Sequence, residues 1–193
     1  MEKIQLNSAC ILKKFDNHLK YKNDLLKLFE KESENIKQYT DYYSDNINKL
    51  DWSKCLDLER DWVKLIKNDL QEHFNYCANE LGYKKATIIA IWFQEYLKNG
   101  THGWHSHGNN YTGVYYVNFN KDCAKTQLID PFNQNKIINV KANEGDIILF
   151  PSYVIHRSDI QKNDFKKTII SFNIEFIDIN DSTLNKIKIL ERS

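Results

Sequence analysis

Between residues 86 and 177 the chain is a succession of short apolar runs, rich in β-branched and aromatic residues and broken by Asn, Gly, Pro and Asp, with no helical period between them. A parallel sheet needs a crossover of a dozen or more residues between its strands, usually a helix, so this pattern predicts antiparallel pairing instead. The expected strands are 86–97, 111–119, 125–129, 136–140, 146–150, 153–158 and 167–177. Strands of this number and length favour a double-sheet barrel or jelly roll.

Before residue 82 the apolar period is helical. Leu25, Leu26, Leu28 and Phe29 mark one amphipathic helix over 23–37, and Leu58, Trp62, Leu65, Ile66, Leu70, Cys77 and Leu81 mark another over 58–81. Asp57 stands where a cap is expected and Gly82 where a left-handed residue would end the second helix. Residues 39–52 read as an irregular connection, 1–15 as an added edge strand and 183–190 as a short terminal helix. The expected fold is mainly β with N-terminal helices: a double-stranded β-helix (jelly roll) with the helices packed outside. At 193 residues it forms one domain, with helical support over 1–82, the site-bearing core over 83–180 and a tail over 181–193.

Charge and cysteine usage exclude several classes. Lys and Arg total 27 against 26 acidic residues, a net charge of +1, which gives no general attraction to nucleic acid or an anionic membrane. Cys10, Cys55, Cys77 and Cys123 are too scattered for a disulfide framework or a zinc ribbon, which points to a reducing cytoplasm. No apolar run approaches the roughly 20 residues that span a bilayer, and the polar first residues predict no signal peptide. Oligomeric state has no signature in the sequence.

Six histidines occur, at 18, 73, 102, 105, 107 and 156. In an extended segment 104–107, alternation turns His105 and His107 to one side, and His102 has the opposite parity. A Gly145-Asp146 turn then enters an apolar strand, Pro151 ends it and His156 follows. In a jelly roll that return brings a third imidazole to the first pair. Three neutral nitrogen donors with open coordination positions suit a catalytic metal better than a closed structural site. His18 and His73 read as helix-flank residues, and His102 as a loop residue near the pocket mouth.

Further segments carry a resemblance: Tyr-x-x-x-Gly over Tyr96 and Gly100, His105-Ser106-His107, Thr112-Gly113-Val114-Tyr115-Tyr116-Val117, Gly145 to Pro151, His156, and Lys167-Thr168-Ile169-Ile170-Ser171-Phe172-Asn173. In this order and spacing the chain resembles the Fe(II)- and 2-oxoglutarate-dependent oxygenases of the prolyl-hydroxylase-like branch, especially the small oxygenases of bacteria and phages. The resemblance implies iron on His105, His107 and His156, with 2-oxoglutarate and O2 as cosubstrates. It puts the distal carboxylate of 2-oxoglutarate on Lys167, with Lys166 as the competitor of opposite parity. Tyr116 would donate to the same carboxylate and Tyr96 would sit near the metal-proximal end. Ser171 and Asn173 share the parity of Lys167 and become pocket candidates, while Trp92, Trp104 and Phe132 are candidate walls on the substrate side.

One position departs from the family pattern, because His107 stands where Asp is usual. The exchange leaves the site more positive by one charge and makes zinc a competitor for iron. The implied reaction is hydroxylation of an unactivated C–H bond, coupled to conversion of 2-oxoglutarate to succinate. Its substrate is a peptide or protein side chain or a small molecule. Two other readings use the same histidines: a cupin-type enzyme without 2-oxoglutarate, and a non-catalytic metal-binding barrel. Against the cupin, residues 108–113 lack the acidic residue that many cupins carry there.

Overall fold

The computed structural model describes residues 9–32, 34–39 and 44–190, so the start of the expected edge strand and residues 40–43 of the expected connection lie outside it. In chain order the elements are β1 (Ile11–Lys14), α1 (His18–Lys31), β2 (Glu34–Tyr39), β3 (Ser44–Leu50), a 3-10 turn (Trp52–Lys54), α2 (Asp61–Glu80), β4 (Tyr83–Tyr96), β5 (His102–His105), β6 (Tyr111–Asn118), β7 (Thr126–Asp130), β8 (Asn133–Asn139), β9 (Asp146–Pro151), β10 (His156–Ser158), β11 (Lys167–Ile179) and α3 (Asp181–Leu190). The strands form two antiparallel sheets, ordered β1-β9-β6-β11-β4-β3-β2 and β5-β10-β7-β8. Neither closes on itself, so the expected barrel is corrected to two open antiparallel sheets. Among the described residues no helix is long and apolar enough to cross a membrane.

The central strands of the larger sheet are buried on both faces, which is why they read as continuous apolar runs. One face, through Ile91, Phe93, Tyr115, Leu149 and Phe172, shares a core with Leu25 and Phe29 of α1 and with Trp62, Ile66 and Phe74 of α2. The other, through Trp92, Tyr96, Val114, Tyr116, Phe150 and Ile169, shares a core with Leu128 of the smaller sheet. The site lies on this second face. On the helix-covered face Gly113 lets β6 approach its neighbours closely: a Cβ would sit 2.3 Å from the Ile148 carbonyl oxygen and 2.6 Å from the Phe172 ring. Gly113→Ala is therefore expected to destabilise the protein by about 3 kcal/mol, read as a lower urea midpoint, because backbone on β9 must move. An unchanged midpoint would contradict this account of the packing.

Several local expectations are corrected. The first helix starts earlier than residue 23 and ends at Lys31, and 34–39 is a strand paired with β3. The expected irregular connection contains β3, which joins β4 through Lys49 opposite Glu95 and Leu50 opposite Gln94. Its sequence, Ser-Asp-Asn-Ile-Asn-Lys-Leu, is mostly polar and hides the strand, yet Ile47 and Leu50 enter the inter-sheet core. Asp57 does not cap α2: the cap position is Arg60, and Asp57 Oδ1 instead accepts the Glu59 N–H at 2.8 Å in the preceding turn. Gly82 does end that helix with φ +89°.

Candidate active site

The site begins with a strand pair. β5 and β10 run antiparallel with His105 directly opposite His156, so both side chains leave the sheet on the same face. His107 arrives differently. β5 ends at His105, which corrects the extended segment expected through residue 107. The His107 N–H instead donates to the Ser152 carbonyl at 3.0 Å, so the turn after β9 holds it in place.

Ring centroids of His105 and His156 are 4.2 Å apart, and His107 lies 5.1 Å from each. One ligand nitrogen from each ring falls within 4.8 Å of the others, and among the described residues this is the only such group of three or more potential metal ligands. Two tautomers are fixed by the backbone. His105 Nδ1 meets the Gly103 carbonyl at 2.7 Å and His156 Nδ1 meets that of Val154 at 2.9 Å. A carbonyl only accepts, so each Nδ1 carries the proton and each Nε2 keeps its lone pair. Burial pushes His107 down to about 4 and His156 to about 3, and lowers His105, so all three are neutral near pH 7. The set fits a divalent metal held on one side with coordination positions left open.

His102 is not a loop residue but the first residue of β5, its ring stacked on His105 at 4.0 Å. It supports a ligand face without belonging to the group of three.

Beside the histidines a narrow inner cavity of about 20 Å³ runs between the sheets, lined by Gln94, Tyr96, Thr126, Ser158 and Ser171 among others. Lys167 lies fully buried next to this lining. Its ammonium donates to Ser158 Oγ at 2.8 Å and to the Ala124 carbonyl at 2.9 Å, and lies 4.9 Å from the centroid of the Tyr96 ring. Among the described residues no carboxylate reaches it, and burial pushes it down to about 7. Lys166 faces the other side of β11, paired with Glu30 at 2.6 Å and Glu95 at 3.5 Å.

The hydroxyl of Tyr116 donates to Thr126 Oγ1 at 2.8 Å, whereas the buried Tyr96 hydroxyl has no hydrogen-bond partner among the described residues. Burial raises both phenols, which stay neutral donors. Ser171 Oγ donates to Gln94 Oε1 at 3.1 Å inside the cavity; Asn173, further along, accepts from Thr112 and does not line it. Trp92 borders the cavity, but Trp104 packs under the Arg157 guanidinium and Phe132 is exposed after β7, so neither walls it. Sequence reasoning missed Thr126 and Ser158. Ser158 had a signal, since it lies two residues beyond His156 on the same short strand.

On the outer side the histidines open into a groove of about 310 Å³ bordered by Asp45, Leu50, Trp52, Trp92 and His107.

Residues 90–173 match the model of a family described as "Putative 2OG-Fe(II) oxygenase". No curated protein sequence matches the chain. Among solved structures, an oxidoreductase of the 2OG-Fe(II) oxygenase family from Burkholderia pseudomallei is similar over 89% of this chain and 87% of its own, with 10% identity and a TM-score of 0.70. A prolyl hydroxylase from Trichoplax adhaerens, solved with a hypoxia inducible factor peptide fragment, covers 86% of this chain and 83% of its own at 16% identity and a TM-score of 0.61. A viral collagen prolyl hydroxylase from Paramecium Bursaria Chlorella virus-1, in its 2OG complex, covers 88% and 96% at 13% identity and a TM-score of 0.57. At these identities the structural likeness is one of fold. The segment that supplies the three histidines and Lys167 matches the family model of the 2OG-Fe(II) oxygenases, and most of the chain takes a fold similar to theirs.

Proposed function

We propose that this protein is an Fe(II)- and 2-oxoglutarate-dependent dioxygenase that hydroxylates an unactivated C–H bond, with His105, His107 and His156 as the iron ligands and Lys167 as the anchor of the cosubstrate. The observation that carries this reading is a cluster of three neutral imidazoles beside a cavity whose neighbouring buried lysine lacks a carboxylate partner among the described residues. Bound Fe(II), with 2-oxoglutarate and O2, supplies the oxidising chemistry and yields succinate, carbon dioxide and a hydroxylated product.

The chain supplies position and electrostatics. Gly103 and Val154 orient two of the ligands through their carbonyls, and the His102 ring stacks on one of them, His105. A buried ammonium gains most from a carboxylate that offsets its desolvation, and the far end of 2-oxoglutarate is such a partner for Lys167. Ser158, Thr126 and Tyr116 form a polar shelf beside it, and the unpartnered Tyr96 hydroxyl is free to donate to the same ligand. Ser171 lines the path between them, and Asn173, two residues further along β11, bonds to Thr112 on β6. Trp92, Phe150 and Ile169 keep the inner face apolar and exclude water. We further read the two sheets as the halves of a double-stranded β-helix with helices outside. The four unpaired cysteines fit work in a reducing cytoplasm. Peptide and protein side chains are the substrates this reading favours, since a structurally similar prolyl hydroxylase was solved with a peptide.

Lys167→Ala is expected to weaken 2-oxoglutarate binding by about 10- to 100-fold with little change in Fe(II) affinity, measured by calorimetry under argon. Lys167→Arg keeps the charge and is expected to retain part of the affinity. The pH dependence has a definite sign. Below about pH 7 the free protein already carries the charged ammonium; above it, binding a dicarboxylate must first restore the proton. The dissociation constant should be flat on the acid side and rise toward about tenfold per pH unit on the alkaline side. A constant indifferent to both Lys167→Ala and pH would place the anchor elsewhere.

A further inference from the structure

The outer groove contains a charge that the metal site does not use. Asp45 is 8% exposed, at the start of β3. Its Oδ1 accepts the Gly103 N–H at 2.9 Å, while Oδ2 lies 3.9 Å from His102 Nε2, beyond hydrogen-bond distance. No lysine or arginine lies within ion-pair distance of this carboxylate among the described residues, and none lines the groove. Burying a carboxylate without a cation is costly, so such a group is either structural or waits for a partner.

Two features favour the partner. The carboxylate is held rigidly against the metal face: Asn46 and Thr101 exchange backbone hydrogen bonds at 2.9 and 3.0 Å, tying the start of β3 to the approach of β5. It also shares the groove with two indoles set at right angles, Trp52 and Trp92, whose ring centroids are 4.5 Å apart at 84°. Trp52 remains 45% exposed although its neighbour is buried. An anion beside aromatic faces is the environment that attracts an organic cation on an apolar stem. A nucleic-acid backbone would bring phosphates to a carboxylate with no basic residue to meet them.

We propose that this groove selects a substrate with an alkylammonium side chain of the lysine type. Its charge sits at Asp45 and its methylene stem lies along Trp52 and Trp92, so that a carbon several bonds from the nitrogen is presented beside His107. As a statement about substrate class it rests on the oxygenase reading, but binding to the groove does not require metal or turnover and is tested without either.

The probes are N-acetyl-lysine methylamide and its uncharged counterpart N-acetyl-norleucine methylamide, titrated into the metal-free protein by calorimetry and by tryptophan fluorescence at low ionic strength. The lysine probe is expected to bind about tenfold tighter or better than the norleucine probe, and added salt should reduce the difference. Asp45→Asn keeps an oxygen for the Gly103 N–H and should erase the preference. Trp52→Ala should weaken both probes and remove the fluorescence response. Equal or tighter binding of the norleucine probe, survival of the preference in Asp45→Asn, or failure of both probes to bind would each overturn the proposal. None of these results touches 2-oxoglutarate binding to the metal-loaded protein, so the two readings fail separately.

Discussion

His156→Ala is expected to abolish stoichiometric Fe(II) binding, weakening it by at least about 100-fold, and with it all 2-oxoglutarate decarboxylation. Of the three ligands His156 is the most tightly built. It is buried, it is the direct cross-strand partner of His105, its Nδ1 proton is fixed on Val154, and the Phe150 ring meets it edge-on at 4.7 Å. No other described His, Cys, Asp or Glu stands within reach to replace it in the group. The variant loses one backbone hydrogen bond and some packing but no charge, so the metal-free protein should remain folded, which circular dichroism checks. His73→Ala is the matched control: His73 is also buried, but under Phe15 and Phe74 on α2, and its loss should leave iron stoichiometry unchanged. Full iron occupancy in His156→Ala would remove the basis for the assigned site.

The second large effect is on stability. Asp51→Ala is expected to cost about 3–5 kcal/mol, which for a chain of this length lowers Tm by roughly 10 °C or more. Asp51 and Arg60 form an ion pair with side chains only 4% and 3% exposed. Around it, Trp62 Nε1 donates to Asp51 Oδ2 at 2.9 Å and the Phe93 N–H to Oδ1 at 2.8 Å, while Arg60 donates to the Ile91 carbonyl at 2.5 Å and the Asp57 carbonyl at 2.8 Å. Removing the carboxylate strands a buried guanidinium and two buried N–H donors at once. Because the same network fastens the end of β3 and the start of α2 to β4 beside Trp92, the loss spreads toward the groove. Asp51→Asn keeps one acceptor oxygen, enough for Trp62 or Phe93 but not both, and should fall between the wild type and Asp51→Ala. A Tm within about 2 °C of wild type for Asp51→Ala would show that the network is not what joins these elements.

Legibility of the sequence followed how strongly burial marks each segment. β4, β6, β9 and β11 are buried on both sides and announced themselves as apolar runs, and the parity of β11 separated Lys167 from Lys166: one points to the cavity, the other to Glu30 and Glu95. β3 did not announce itself, since a polar strand near the sheet edge needs only Ile47 and Leu50 to hold it. His105 and His156 were paired by topology. The reasoning that grouped His107 with them assumed strand alternation, whereas a loop anchored on Ser152 does the work, so the grouping stood on different grounds from those supposed. His102 was misread because parity alone cannot show that β5 starts there and that its ring lies over His105. Asp45 had no local signal: its significance arises from a contact 58 residues away, with Gly103.

The central claim is that the three histidines and Lys167 together bind Fe(II) and 2-oxoglutarate. Its most direct test is an anaerobic titration of metal-free protein with Fe(II) and then 2-oxoglutarate, followed in the visible spectrum. The account predicts one Fe(II) per chain, a weak charge-transfer absorption that grows with 2-oxoglutarate to one equivalent, and loss of that absorption in His156→Ala. Iron that binds with no absorption on adding 2-oxoglutarate would contradict it and leave a three-histidine metalloprotein that does not use this cosubstrate.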